Sequence, residues 1–122
     1  PPPLPDAMLE ILPVNDPHEQ EALAARFRIP YLRTTQGYTA QNNGKPIALC
    51  QFRISQKAVT LCSVGITPSE DVTEREHILS ALLLGTLAFA MQNDVQNVRC
   101  TKEFPEDARR LLAKWQVFSD EN

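Results

Sequence analysis

Four polar side chains of this 122-residue sequence have the chemistry of catalytic groups. His77 is a candidate general base because histidine titrates near neutral pH. Glu70 and Asp71 are adjacent carboxylates that could act as an acid and base pair, and Cys100 is a candidate nucleophile. Each group also has a structural interpretation: a surface histidine, helix-capping acids, or a small core side chain. We favour the structural interpretations, because the sequence identifies no orienting partner for His77 or Cys100.

A long helix and the strand after it must position these groups. Thr73-x-x-Glu76 has the pattern of a capping box, and apolar residues follow it at helical spacing. Leu84 and Met91 widen the apolar stripe, which predicts a helix that is buried on most sides. A strand is predicted over residues 95–101, where the candidate cysteine lies.

Hydrophobic periodicity and turn residues predict the other elements. These are strands over residues 8–14, 37–41, 46–54 and 58–66, and helices over residues 17–27 and from Pro105 onwards. Asn42-Asn43-Gly44 favours a hairpin turn between the second and third strands, and Gly65 is a candidate bulge or splay point. The order β-α-β-β-β-α-β-α predicts an α+β fold with a mixed sheet: an antiparallel meander and a parallel pair joined by a right-handed crossover.

A two-residue loop at Gln56-Lys57 sets the predicted register of the third and fourth strands. Ser55 then faces Ala58, and the pairs on one face are Cys50 with Ser63, Phe52 with Leu61, and Ile54 with Val59. This register places Cys50 and Cys62 on opposite faces, so we interpret both as core residues and not as a disulfide. We predict a reducing, cytoplasmic setting, because three widely spaced cysteines without a secretory signal fit neither a disulfide framework nor a zinc site.

Composition argues against two classes of partner. A net charge of −3, with Lys and Arg scattered along the chain, gives no electrostatic footprint for nucleic acid. No apolar run reaches the length of about eighteen residues that a membrane span needs. We therefore predict no nucleic acid, no membrane and no metal as partners. Residues 1–7 are interpreted as a disordered proline-rich leader, with a polyproline II ligand as the alternative, and residues 8–122 as a single domain.

Four segments are similar to motifs of one enzyme superfamily. They are the first strand and helix over residues 8–23, the strand-turn-strand over residues 38–48, Ser80-Ala81-Leu82-Leu83 in the long helix, and residues 112–118 near the C-terminus. Through them the chain resembles the GNAT superfamily of N-acetyltransferases over nearly its whole length. The resemblance implies the GNAT fold with a truncated C-terminal hairpin. It also implies acyl-CoA lying where two parallel strands splay, near Ile66 and Thr101, with its pyrophosphate on the turn into the long helix.

The phosphate-binding loop of the superfamily has the pattern Gln/Arg-x-x-Gly-x-Gly/Ala. In the register set by the long helix, its three defining positions fall on Glu74, His77 and Leu79. Together with Ile66 and Ile78, these are the cofactor-binding positions that the resemblance implies. Glycines let phosphate oxygens approach backbone N–H groups, whereas larger side chains stand in the way and carboxylates repel the anion. We therefore predict that CoA is not bound in the usual way.

The resemblance and these departures from it leave three hypotheses for function. The first is a divergent GNAT-like domain, catalytically impaired or non-catalytic, that binds a small molecule or a protein. It is favoured because the tyrosine acid of the superfamily matches Ala113, which has no proton to donate. The second is an active acetyl-CoA-dependent N-acetyltransferase of unknown acceptor. The third is an interaction subunit that forms a homodimer through its C-terminal edge, where Trp115 and Phe118 are candidate interface residues.

Overall fold

A computed structural model describes residues 9–118 of the chain and gives them five strands and three helices. The strands are β1 (Leu9–Val14), β2 (Gln36–Asn42), β3 (Lys45–Ser55), β4 (Ala58–Ile66) and β5 (Asn97–Cys100). The helices are α1 (Pro17–Arg26), α2 (Val72–Gln92) and α3 (Glu106–Lys114). The predicted element order and the mixed α+β class are confirmed. The predicted leader over residues 1–7 lies outside the described residues, as does the first residue of the first predicted strand.

The strands form one sheet in the order β1-β2-β3-β4-β5. The first three pairings are antiparallel, and β4 pairs with β5 in parallel across α2, as predicted. Asn43 and Gly44, at φ 56° and 83°, make the left-handed turn between β2 and β3. Gln56 and Lys57 also have positive φ and join β3 to β4, so the predicted two-residue loop is confirmed.

One irregularity interrupts the pairing of β3 with β4. Phe52 faces Leu61 as predicted, but the neighbouring Gln51 faces Ser63. Cys62 is therefore the extra residue of a β-bulge. Beyond the bulge, every β4 side chain lies on the face opposite to the predicted one.

The bulge corrects two predictions. Cys50 faces Val64 instead of Ser63, because one extra residue inverts the alternation of side chains beyond it. Gly65 is not the bulge, since it stays in register with β3. A Cβ atom at Gly65 would lie 2.8 Å from Cβ of Phe27, so glycine allows the close approach of the segment after α1. The cysteines of β3 and β4 are buried and free, as predicted.

Helices cover both faces of the sheet. The main core lies between the sheet, α2 and α3, and its fully buried side chains include Phe52, Leu61, Leu82 and Leu112. A smaller cluster on the other face joins α1 to the sheet and contains Leu23, Ala24, Phe27 and Leu49. There are two clusters because the strands carry apolar side chains on both faces of the sheet, and each face is covered by helices.

α2 is buried along one side, on which Leu79 and Leu83 enter the main core. Leu84 and Met91 are 55% and 63% exposed, so the prediction that they widen a buried stripe is wrong. The sheet takes only one side of α2, and α3 contacts part of another. The outer side of the helix therefore faces solvent.

The C-terminal part of the described chain differs from the prediction in its details. β5 is shorter than predicted and begins at Asn97, where the N–H groups of Gln96 and Asn97 both bond to the carbonyl oxygen of Lys57 in the β3–β4 connection. Trp115 and Phe118 are half-buried and pack against the main core. Within residues 9–118, no helix combines the length and apolarity that crossing a bilayer requires.

Candidate functional site

The start of α2 lies beyond the C-terminal end of β4, on the side of the sheet where the parallel strand pair ends. Asp71 is the N-cap of this helix. Its Oδ1 atom accepts hydrogen bonds from the backbone N–H groups of Thr73 at 3.0 Å and Glu74 at 3.2 Å. The predicted capping box of Thr73 and Glu76 is therefore wrong, because the helix begins earlier, at Val72. The cap places a carboxylate on the positive end of the helix dipole.

Ser69 adds a second set of hydrogen bonds around this helix start. Its hydroxyl accepts from the backbone N–H of Asp71 at 3.1 Å and donates to Oε1 of Glu74 at 2.9 Å. A helix start leaves four backbone N–H groups without acceptors in the helix. Of these, the groups of Asp71, Thr73 and Glu74 are bonded to side chains of the chain itself.

The cofactor-binding positions implied by the resemblance do not form a loop. Glu74, His77 and Leu79 all lie within α2. Leu79 is 1% exposed in the main core, whereas His77 is exposed. Ile66 and Ile78 are half-buried against the same core. Two of the N–H groups that a pyrophosphate would need, those of Thr73 and Glu74, are bonded to the Asp71 carboxylate, so this helix start does not fit the group as it stands.

The pairing of β4 with β5 stops at the bulge, because β5 ends there. Their parallel pairing ends where Leu61 faces Cys100, although β4 continues to Ile66. The N–H and the hydroxyl of Thr101 bond to β4 carbonyl oxygens at 3.0 Å and 2.9 Å. Nη2 of Arg109 then binds the carbonyl oxygen of Thr101 at 2.6 Å. The end of this strand pair lies where the resemblance implies an acyl group, and an arginine of α3 binds the residue that follows β5.

The three thiols of the chain are kept protonated by their surroundings. Burial raises the pKa of Cys50 to about 12, and it also raises the pKa of Cys62 and of Cys100. The guanidinium groups of Arg53 and Arg109 oppose this effect at Cys62 and Cys100, respectively, but they are the smaller cause. A protonated thiol is a poor nucleophile. The surroundings of Cys100 therefore do not activate it.

The catalytic candidates lie on different elements. Glu70 is exposed in the connection before α2, His77 is exposed in the first half of α2, and Cys100 ends β5. Within residues 9–118, no hydrogen bond or ion pair joins Glu70 to Cys100. Nor do three His, Cys, Asp or Glu side chains of that part of the chain cluster as a metal site would require.

An ion pair that could not be predicted from the sequence joins α2 to α3. Nε of Arg75 lies 2.6 Å from Oδ2 of Asp107, and the two side chains are 32% and 36% exposed. The hydrogen bond with Arg75 holds the pKa of Asp107 below its ordinary value. Arg75 is the only Lys or Arg between residues 66 and 79, so this contact directs the one full cation of the helix start toward α3. The partners are 32 residues apart, and no local spacing identifies them.

A scan against protein-family models found no match, and a search of curated proteins found none either. Solved structures do match the fold. The ribosomal-protein-alanine N-acetyltransferase of Brucella melitensis biovar Abortus has a TM-score of 0.61 at 15% identity, over 92% of this chain and 93% of that chain. A ribosomal-protein alanine N-acetyltransferase of Escherichia coli has a TM-score of 0.68 at 14% identity, over 88% of this chain and 76% of that chain.

An aminoglycoside N-acetyltransferase solved in complex with CoA is a third match. Its TM-score is 0.58 at 15% identity, over 91% of both chains. At such identities the likeness carries the fold and not the activity. The chain has the fold of the GNAT N-acetyltransferases.

Proposed function

We propose that this chain is a GNAT-fold domain that does not hold CoA at the start of α2 and acts as a ligand- or protein-binding module instead of an acetyltransferase. The observation that supports the proposal is the Asp71 carboxylate on the N–H groups of Thr73 and Glu74. A phosphate at this place has to displace that carboxylate. It then meets further acids, because Glu70, Glu74 and Glu76 are exposed in the same segment.

Two energies give the size of the effect. Removing a helix N-cap costs roughly 1 kcal/mol. One carboxylate about 5 Å from a phosphate charge costs about 3 kcal/mol at an effective dielectric constant of about 20. A sum of about 4 kcal/mol weakens binding by about a thousandfold. We therefore expect acetyl-CoA at ordinary working concentrations to leave the domain unoccupied.

Thermal unfolding with and without acetyl-CoA tests the proposal. A ligand at about a hundred times its Kd adds about 2.7 kcal/mol, which raises Tm by on the order of ten degrees for a domain of this size. We expect a shift below about one degree for this chain. The aminoglycoside N-acetyltransferase solved in complex with CoA is the positive control. A shift of several degrees in this chain would contradict the proposal.

The second candidate function is that of an acetyl-CoA-dependent N-acetyltransferase. The end of the parallel β4–β5 pairing at Leu61 and Cys100, with β4 continuing to Ile66, favours it, because the resemblance implies acyl-CoA beside the ends of this strand pair. The release of free CoA thiol in the presence of amines and peptide N-termini distinguishes the two candidates. Release above the rate of a heat-denatured sample would support the acetyltransferase and refute the non-catalytic module.

A further inference from the structure

A cleft of about 360 Å³ lies at the opposite end of α2 from its acidic start. It is formed by the end of β1, the start of α1, the start of β2 and Phe89 near the end of α2. Its ten lining residues include no Asp, Glu, Lys, Arg or His. The volume is typical of small-molecule sites, and the lining favours an uncharged ligand because it offers no charge to pair with.

Two buried glutamines meet beside this cleft, and backbone groups fix the amide orientation of the inner one. Gln51 is fully buried. Its Oε1 accepts from the N–H of Leu32 at 3.0 Å, and its Nε2 donates to the carbonyl oxygen of Pro30 at 2.8 Å. A flipped amide would put donor against donor and acceptor against acceptor. The atom that Gln51 presents to Gln20 is therefore an oxygen.

The orientation of Gln20 follows from that of Gln51. Nε2 of Gln20 donates to Oε1 of Gln51 at 3.0 Å and to Oγ1 of Thr35 at 2.9 Å. The Thr35 hydroxyl uses its own proton on the carbonyl oxygen of Leu32, at 2.6 Å. Both protons of the Gln20 amide are thus used. Its Oε1 is an acceptor to which no residue of the described chain donates, although Gln20 is only 4% exposed.

The absence of a side chain at Gly37 leaves room for Oε1 of Gln20. Gly37 lines the same cleft as Gln20, and a Cβ atom there would lie 3.2 Å from Oε1 of Gln20. A buried acceptor without a donor is unfavourable in a folded protein. A molecule in the cleft that donates an N–H or O–H group would remove that cost.

Tyr38 and Phe89 supply a ring surface in the same cleft. Their ring centroids lie 5.4 Å apart, with the planes tilted by 45°. Phe52 lies behind both rings at 6.0 Å from each and is fully buried, so the rings are supported from the core. Such a surface favours a flat apolar ligand.

We propose that this cleft binds a small, uncharged ring compound that donates one N–H or O–H hydrogen bond to Oε1 of Gln20 and packs against Tyr38 and Phe89. The buried acceptor selects a donor, and the rings select a flat apolar body. The site shares no residue with the start of α2. The proposed site goes beyond the proposed function. A negative result in its test would leave the conclusion from the acetyl-CoA experiment unchanged.

Indole and 1-methylindole are matched probes, because they share one ring system and only indole carries the N–H donor. Each is titrated into the isotopically labelled chain while amide resonances are recorded. We expect indole to shift the Gly37 backbone and Gln20 side-chain resonances to saturation. We expect 1-methylindole to bind at least about fivefold more weakly, because it leaves the acceptor unpaired. Equal affinities, or shifts that avoid both groups, would overturn the proposal.

Substitution of the ring surface gives an independent test. Phe89→Ala should weaken indole binding at least about fivefold. If that variant does not fold, Tyr38→Leu serves instead. Leu84→Ala, on the exposed side of the same helix, is the control and should bind indole as the wild type does. A folded ring variant with unchanged affinity would overturn the proposal.

Discussion

Nε of Arg75 and Oδ2 of Asp107 lie 2.6 Å apart and join the first turn of α2 to the first turn of α3. Both side chains are about one-third exposed, at 32% and 36%, so solvent screens much of their attraction. The contact links the acidic helix start to α3, and it directs the charge of Arg75 toward Asp107.

Asp107→Asn should lower the free energy of unfolding by about 1 kcal/mol or less near neutral pH. The hydrogen bond from Arg75 is the main reason why the pKa of Asp107 is lowered in the folded state. A carboxyl group of this kind stabilises the fold fully above its unfolded-state pKa, and the stabilisation is lost as pH falls through the folded-state pKa. Urea unfolding of the wild type and of Asp107→Asn, at about pH 7 and about pH 2, should show a difference in the free energy of unfolding at the higher pH alone. An equal difference at both would contradict the assignment.

Asp71→Ala should lower the free energy of unfolding by about 0.5–2 kcal/mol, because the N–H groups of Thr73 and Glu74 lose their acceptor. Asp71→Ser keeps an acceptor without the charge and should cost no more than a few tenths of a kcal/mol. Urea unfolding of both variants measures the difference. Equal losses would mean that the hydrogen bonds to Asp71 do not stabilise α2.

Leu79→Ala should cost about 2–5 kcal/mol, because Leu79 is 1% exposed in the main core. Leu84→Ala makes the same change at a 55% exposed position of the same helix. Its free energy of unfolding should stay within about 0.5 kcal/mol of the wild-type value. Chemical denaturation of the two variants provides the comparison. A large loss for Leu84→Ala would mean that another molecule covers the outer side of α2 in solution.

Iodoacetamide should label Cys100 at least about tenfold faster than Cys50 in the native protein. Cys50 is fully buried with a pKa of about 12, whereas Cys100 is only half-buried. Mass spectrometry of the labelled peptides gives the two rates, and urea should make them similar. Native labelling of both thiols at one rate would show that the interior around Cys50 opens readily.

Local sequence was sufficient for the two turns of the meander, although not for the register of β4 beyond its bulge. Asn43-Gly44 and Gln56-Lys57 adopt left-handed turns, and such turns depend on the residues in them. The helix start was harder, because Asp71 and Thr73 are both good N-cap residues. The choice between them depends on where β4 ends and how α2 meets α3. Sequence reasoning therefore found the acidic segment but assigned its cap to the wrong residue.

Periodicity, turn residues and charge act over a few residues, so the order of elements, the mixed sheet and the acidity of the α2 start could be predicted from the sequence. The bulge at Cys62, the pairing of Arg75 with Asp107, and the acceptor that Gln20 presents to its cleft could not. Each of these depends on segments distant in the chain that the sheet and helices bring within a few ångströms. Contacts between such segments leave no signature in local spacing.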